Sequence, residues 1–179
     1  MNDLSLFLLD IAQNAIAVKA NAIEIRLEER LTESLLLFQI ADNGPGMTEH
    51  QVKRAVDPFY TTRTTRKVGL GLPFLQAAAL QTGGAFEIDS KFGVGTTVKA
   101  TFRLDSIDLL PYGDIAASVF CIAIHPDTVD FSFHMNVKNH VFEFRLAEVR
   151  EALAPLPLHD PLAQQLLRDY LSDNIPLFL

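Results

Sequence analysis

Apolar residues near the start of the chain recur at three- and four-residue steps: Leu4, Phe7, Leu8, Ile11, Ala15 and Val18. That spacing gathers them into one stripe and predicts an amphipathic helix over Asn2 to Ala20. The period then changes. From Ala22 to Leu27, Ile23, Ile25 and Leu27 alternate with Glu24, Arg26 and Glu28, the two-residue repeat of a half-buried strand. After a polar turn, Leu35 to Ala41 reads as a second, more apolar strand. Asp42-Asn43-Gly44-Pro45-Gly46 follows it as a loop that no regular element can cross. Thr48 to Val56 reads as a short helix with Thr48 as its N-cap. Asp57 to Val68 has no clear period. Gly69-Leu70-Gly71-Leu72-Pro73 leads into a helix running through Gln81, with the proline suited to its first turn. Gly83-Gly84 ends it, and Ala85 to Asp89 and Thr96 to Arg103 read as paired strands. This order predicts an α+β fold, a two-layer α/β sandwich whose mainly antiparallel sheet is covered by helices on one face.

Beyond Asp105 the pattern weakens. A helix is expected over Asp114 to Ile124. Val129 to Phe133 and Val141 to Arg145 form an expected hairpin turning at Lys138-Asn139, and Leu146 to Leu153 and Asp160 to Leu171 are further helices. The expected organisation is one domain over residues 1–104 and a small acidic α/β appendage over residues 105–179.

Composition narrows the class. Hydrophobic residues make up 49% and charged residues 21% of the 179, which fits a globular chain and excludes a disordered one. No apolar run approaches the roughly 18 residues of a membrane span, and no basic segment follows Met1 as in a signal peptide. The expected location is the cytoplasm, with no membrane partner. Cys121 is the sole cysteine, and the apolar pairs on either side of it lead us to expect a buried thiol. The net charge of −7 is placed unevenly: residues 1–104 carry 11 acidic and 11 basic side chains, residues 105–179 carry 11 acidic and 4 basic. An acidic second part repels phosphate backbones, so nucleic acid is not an expected partner.

Four short segments carry candidate chemistry, and each also has a plainer explanation. Asp10 and Asn14 are four residues apart on the first helix and project from one side. There they can bind a metal ion or polarise a water, or simply mark the solvent boundary of the stripe. The Asp42 carboxylate at a strand end can accept a hydrogen bond from an exocyclic amine, with Gly44 and Gly46 admitting a flat base. An ordinary tight turn has the same residues. Gly69-Leu70-Gly71 opens a helix after Arg63, Arg66 and Lys67, as an anion site would, or as a flexible connection would. Gly93-Val94-Gly95-Thr96 places a hydroxyl where it can reach a base edge, or is a hairpin turn.

In this order and spacing, the four segments resemble the ATP-binding domain shared by type II topoisomerases, ninety-kilodalton heat-shock chaperones, sensor histidine kinases and mismatch-repair ATPases. Asp10 to Asn14 is similar to the N box, and Asp42–Gly46, Gly69–Gly71 and Gly93–Thr96 to the three glycine boxes. Asp57-Pro58-Phe59-Tyr60-Thr61-Thr62-Arg63 resembles the F-box stretch of histidine kinases. The resemblance covers residues 2–103. It implies that Asp42 contacts the adenine amine, that Gly44 and Gly46 shape the base pocket, and that Asn14 ligates Mg²⁺ bridging the phosphates. It further implies that Gly69 and Gly71, with Leu70 between them in the same site, give backbone amides to the phosphates. Thr96 supports the base through water, and residues 57–68 form a mobile lid in which Arg63, Arg66 and Lys67 offset phosphate charge.

The chain also departs from sensor kinases. It opens on the N-box helix itself, so no phosphoacceptor helix is expected ahead of it. Ala17 stands where those kinases often carry a base. Asp10 replaces their usual asparagine and matches, one methylene shorter, the glutamate of topoisomerase-type ATPases and anti-sigma-type serine kinases. Such a carboxylate can serve as a general base. His159-Asp160-Pro161 superficially resembles a phosphoacceptor box, but Asp160 and Pro161 make an ordinary helix cap, so no phosphohistidine is expected on this chain. Two readings remain open. One is an enzyme using Mg and ATP, hydrolysing it slowly or phosphorylating a partner protein in trans, with Asp10 as catalytic base. The other is a nucleotide-controlled interaction module with little turnover. In both, a protein partner is expected to meet the appendage or the lid.

Overall fold

A computed structural model describes residues 3–57, 70–128 and 130–178. Helix α1 (Leu4–Ala17) begins at Asp3, whose carboxylate accepts the Leu6 N–H at 3.0 Å. It buries Leu4, Phe7, Leu8, Ile11 and Ala15 as the spacing requires. Val18 is not buried with them: it is the helix's C-cap, stands 48% exposed and lies beside Gly44 in the loop after β2.

Strands β1 (Ala22–Arg30) and β2 (Leu35–Asp42) form an antiparallel pair. The first is three residues longer than its alternation predicts. Glu28, Glu29 and Arg30 stay in the ladder opposite Leu37, Leu36 and Leu35. Glu29 is held there by the Tyr112 hydroxyl, which donates to it at 2.6 Å, and by the Lys138 N–H at 2.7 Å. Burial and that carboxylate push the Tyr112 phenol well above its usual pKa. Helix α2 (Glu49–Arg54) starts at Thr48 with a reciprocal cap to Gln51. Helix α3 (Gly71–Gln81) then leads to the antiparallel strands β3 (Ala85–Lys91) and β4 (Gly95–Arg103).

The remaining elements are α4 (Ile115–Ala123), β5 (Asp130–Val137), β6 (His140–Arg145), α5 (Leu146–Leu153) and α6 (Pro161–Asn174). Lys138 and Asn139 both take positive φ (50° and 62°), the two-residue turn that matches strand twist in a hairpin. His159 lies outside α6, whose N-cap Asp160 accepts the Leu162 N–H at 2.8 Å ahead of Pro161. Cys121 is exposed, contrary to the expected buried thiol. Its apolar neighbours turn inward on α4, but Cys121 follows the exposed Ala117 by four residues and shares its outward side.

The six strands among the described residues form one sheet in the order β3-β4-β2-β1-β5-β6. Four of its pairings are antiparallel, and β1 with β5 is parallel. Ile25 is opposite Ile40 on one side and Phe133 on the other, so β1 joins the first 104 residues to the rest. The sheet's apolar face carries Ile25, Leu27, Phe38, Ile40, Phe102, Phe131 and Phe133, all essentially inaccessible, and packs with α1, α3, α4 and α6 into one core. Leu4 and Ser5 donate their N–H groups to the Pro111 and Tyr112 carbonyls, and the Ser118 hydroxyl donates to Ser5 O at 2.9 Å. No described helix is long and apolar enough to cross a membrane.

A shared core should unfold as one unit. Phe133→Ala, far from the loops at the end of β2, is expected to cost about 3–5 kcal/mol. Urea titrations followed by far-ultraviolet dichroism and by nucleotide-site fluorescence should shift together. Separate transitions for the two probes would show that residues 105–178 unfold on their own.

Candidate functional site

Asp42 ends β2 directly opposite Thr96, the second residue of β4. Its Oδ1 accepts the Gly44 N–H at 2.8 Å, and the Thr96 N–H also donates to the carboxylate. Burial raises the Asp42 pKa above the usual aspartate value, and those two amides partly offset the rise. A carboxylate has about four lone-pair positions. Two amides leave it able to accept a further donor, such as an exocyclic amine.

The loop after Asp42 is tied down on both flanks. Asn43 Oδ1 accepts the N–H groups of Asn21 and Ala22, each at 2.8 Å, fastening the loop to the start of β1. The Pro45 carbonyl accepts the Gly93 N–H at 2.7 Å. Gly46 has φ of 63°, and a Cβ there would run into the Lys91 carbonyl, so the position requires glycine twice over.

Ser90 links the two loops. It accepts the Met47 N–H at 2.8 Å, lies 2.8 Å from Thr96 Oγ1, and donates to the Gly95 carbonyl at 3.1 Å. With the Ser90 proton on Gly95 O, Thr96 is the donor between the two hydroxyls. The Thr96 oxygen then keeps lone pairs for a water or a base edge.

The other end of the site is formed by α1 and α3. Asp10 and Asn14 are half-buried on one side of α1. The Asp10 carboxylate packs against Gly71 so closely that any Cβ on Gly71 would overlap Oδ2. Leu70 is the N-cap of α3, accepts the Phe74 N–H at 3.0 Å and is 39% exposed. The N–H groups that open α3, and the positive end of its dipole, therefore stand beside Asp10. Gly69, Arg63, Arg66, Lys67 and most of the F-box stretch lie outside the described residues. No cluster of three His, Cys, Asp or Glu side chains able to hold a metal occurs among the described residues. A divalent ion here would need ligand oxygens from a phosphate chain beside Asn14, which suits Mg²⁺.

The family model for histidine kinase-, DNA gyrase B- and HSP90-like ATPases matches residues 2–106, all the elements that build this site. The chain belongs to that family. It is an ATP-binding, histidine kinase-like ATPase chain, and its relatives are sensor and sporulation kinases. Sensor kinase CckA of Brucella abortus (strain 2308) is 32% identical over 81 residues, covering 45% of this chain and 9% of that protein. Sporulation kinase E of Bacillus subtilis (strain 168) is 34% identical over 101 residues, 56% and 14% of the two chains. Sporulation kinase C of the same organism is 27% identical over 105 residues, 59% and 24%. The aligned parts are less than a quarter of each relative.

Sequence reasoning missed Asn43 and Ser90. Asn43 sits inside a motif it did flag, and Ser90 falls on the strand side of a hairpin, with nothing local to single it out. Both act on backbone groups distant in the sequence.

If the Asp42 carboxylate accepts from the base, Asp42→Ala should weaken ATP binding by about 1–3 kcal/mol, because it leaves that donor unpaired. Titration calorimetry against the wild type checks this. The raised Asp42 pKa also predicts opposite pH effects. The folded state holds this proton more tightly than the unfolded chain, so the group favours folding at low pH and that contribution fades as pH rises through its folded pKa. An ionised acceptor is lost in the other direction: ATP affinity should fall on acidification, beginning above the normal aspartate range. That fall should be absent in Asp42→Asn.

Proposed function

We propose that this chain binds ATP with Mg²⁺ between Asp42 and the start of α3, and passes the terminal phosphoryl group to water slowly or to a hydroxyl of a partner protein. The observation that supports this reading is the Asp10 carboxylate packed against Gly71 at the start of α3, as a general base beside the phosphates would be, with Asp42 as the carboxylate for the base at the other end. Asp42 accepts from the adenine amine, and Thr96 adds an acceptor through water. Gly44 and Gly46 let the loop lie flat against the base, and the amides at Leu70 and Gly71 receive phosphate oxygens. Asn14 would help hold Mg²⁺, and the ion would supply charge neutralisation at the phosphates. Asp10 takes the proton of the attacking water or hydroxyl as its oxygen bonds to the terminal phosphorus and the bond to the β-phosphate oxygen breaks, releasing ADP. His159 takes no part in this scheme, and no phosphohistidine is proposed. A cytoplasmic location fits such a role.

Asn14→Ala should weaken ATP binding by roughly tenfold or more with excess Mg²⁺ but little in chelator, since its role is toward the ion. Equal losses in the two titrations would make Asn14 a structural residue.

The second reading, a nucleotide-controlled module, draws on the shortness of Asp10 beside the glutamate of related hydrolases. Single-turnover phosphate release separates the two. A general base contributes about 10²-fold or more, so Asp10→Asn should slow release by that factor while ATP affinity holds. Release that is equally slow in both proteins would favour the module.

A further inference from the structure

At the sheet edge away from the ATP site, β6, α5 and α6 enclose a cleft of about 430 Å³. Its walls are mainly apolar, with Phe144 on β6, Val149 and Leu153 on α5, and Leu166, Leu167 and Tyr170 on α6, and Glu143, Arg145 and Glu148 also line it. Phe144 and Leu167 belong to the core. On α6 the apolar surface continues outward, with Leu162, Leu166 and Tyr170 following at four-residue steps and exposed by 54%, 46% and 45%. Eight residues of helix span about 12 Å, so this is a ridge two turns long. Scattered exposed leucines are ordinary, but a continuous ridge beside an apolar cleft is the surface on which an amphipathic helix packs.

The charges around the cleft select its occupant. Each of the four bases in residues 105–179 is engaged within the chain. Arg145 pairs with Glu148 at 3.5 Å, and Arg150 Nη2 donates to the Thr128 carbonyl at 2.8 Å. Arg168 lies 4.3 Å from the centre of the Phe120 ring, and Lys138 lies about 6 Å from the rings of Tyr112 and Phe178. Glu151, Asp169 and Asp173 are exposed. Asp169 and Asp173 come three residues after Leu166 and Tyr170, so both flank the ridge. Arg145, Arg150 and Arg168 keep their charge, but on β6, α5 and α6 they are outnumbered by Glu143, Glu148, Glu151, Asp169 and Asp173, so the apolar area is bordered by net negative charge.

We propose that this cleft docks an amphipathic helix of a partner protein, apolar on one face and rich in Lys and Arg along its borders. Apolar burial in the cleft supplies the affinity, and the acids on α5 and α6 select basic over acidic partners and orient them. The site is separate from the nucleotide loops and does not depend on turnover there.

A fluorescently labelled 18-residue helical peptide with a leucine face and lysine flanks is the probe, with a twin carrying glutamate for every lysine. Both are titrated into the full chain by anisotropy. The lysine peptide should bind at least about tenfold more tightly than its twin. Leu166→Asp should weaken it by about tenfold or more while ATP affinity stays at the wild-type value, showing the fold intact. Asp169→Lys with Asp173→Lys, an exposed pair, should weaken the lysine peptide and flatten its salt dependence. Equal binding of the two peptides would overturn the proposal, as would wild-type affinity in Leu166→Asp. A concentration-dependent dimer that Leu166→Asp dissolves would overturn it too, by assigning the cleft to a second copy of this chain.

Discussion

Everything in this structure depends on how β1 is bracketed. It pairs with β2 on one side and β5 on the other, residue for residue from Ile23 to Glu28. A strand in that position has no free edge, and its inward residues Ile23, Ile25 and Leu27 are fully covered. The Asn43 carboxamide fastens the nucleotide loop to the start of that strand, and α1 packs on the same sheet face. The distance between Asp42 and the Asp10–Gly71 contact is thus a property of the sheet rather than of any flexible loop. That is what a site needs if it is to hold the two ends of one nucleotide in fixed register.

Much of this was legible from local pattern. The alternation in β1 and the glycine-bearing turns gave the antiparallel sheet, because period two and turn chemistry are local properties. The cap at Thr48 and the turn at Lys138-Asn139 were legible for the same reason. What was not legible involves partners far apart in sequence. The expected strand at Val129–Phe133 extends to Val137, since β5 finds a parallel partner more than a hundred residues earlier. The charged end of β1 stays in the ladder because Tyr112 and Lys138 come to Glu29 from distant segments. Cys121 shows the limit of reading neighbours: flanking apolar residues bury themselves, and a helix turns the residue between them outward.

Within the site, residue types were easier to read than their connections. Asp42, Asp10 and Gly71 each carry a visible reason, a carboxylate or a missing Cβ at an element end. Asn43 and Ser90 do not, because each spends its side chain on backbone groups of another segment. Their contribution is to hold two loops at one separation, so that the Thr96 hydroxyl and the Asp42 carboxylate face the same space. Such residues carry no chemical signature of their own, and only the fold reveals them.

The charge asymmetry raises a physical question, since ATP is strongly anionic and the C-terminal part of the chain holds the whole net charge of −7. Sheet geometry answers it. From β4, which carries Thr96, to β6 there are four strand steps, or about 19 Å at the usual strand spacing. At physiological salt the screening length is about 8 Å, so acids at the β6 edge are more than two screening lengths from Thr96, while Asp130, paired with Ala22 at the start of β1, is on a nearer strand. Repulsion at that range is largely extinguished. One sheet can therefore hold a site for an anion at one side and an acidic surface at the other, and the width of the sheet keeps them compatible.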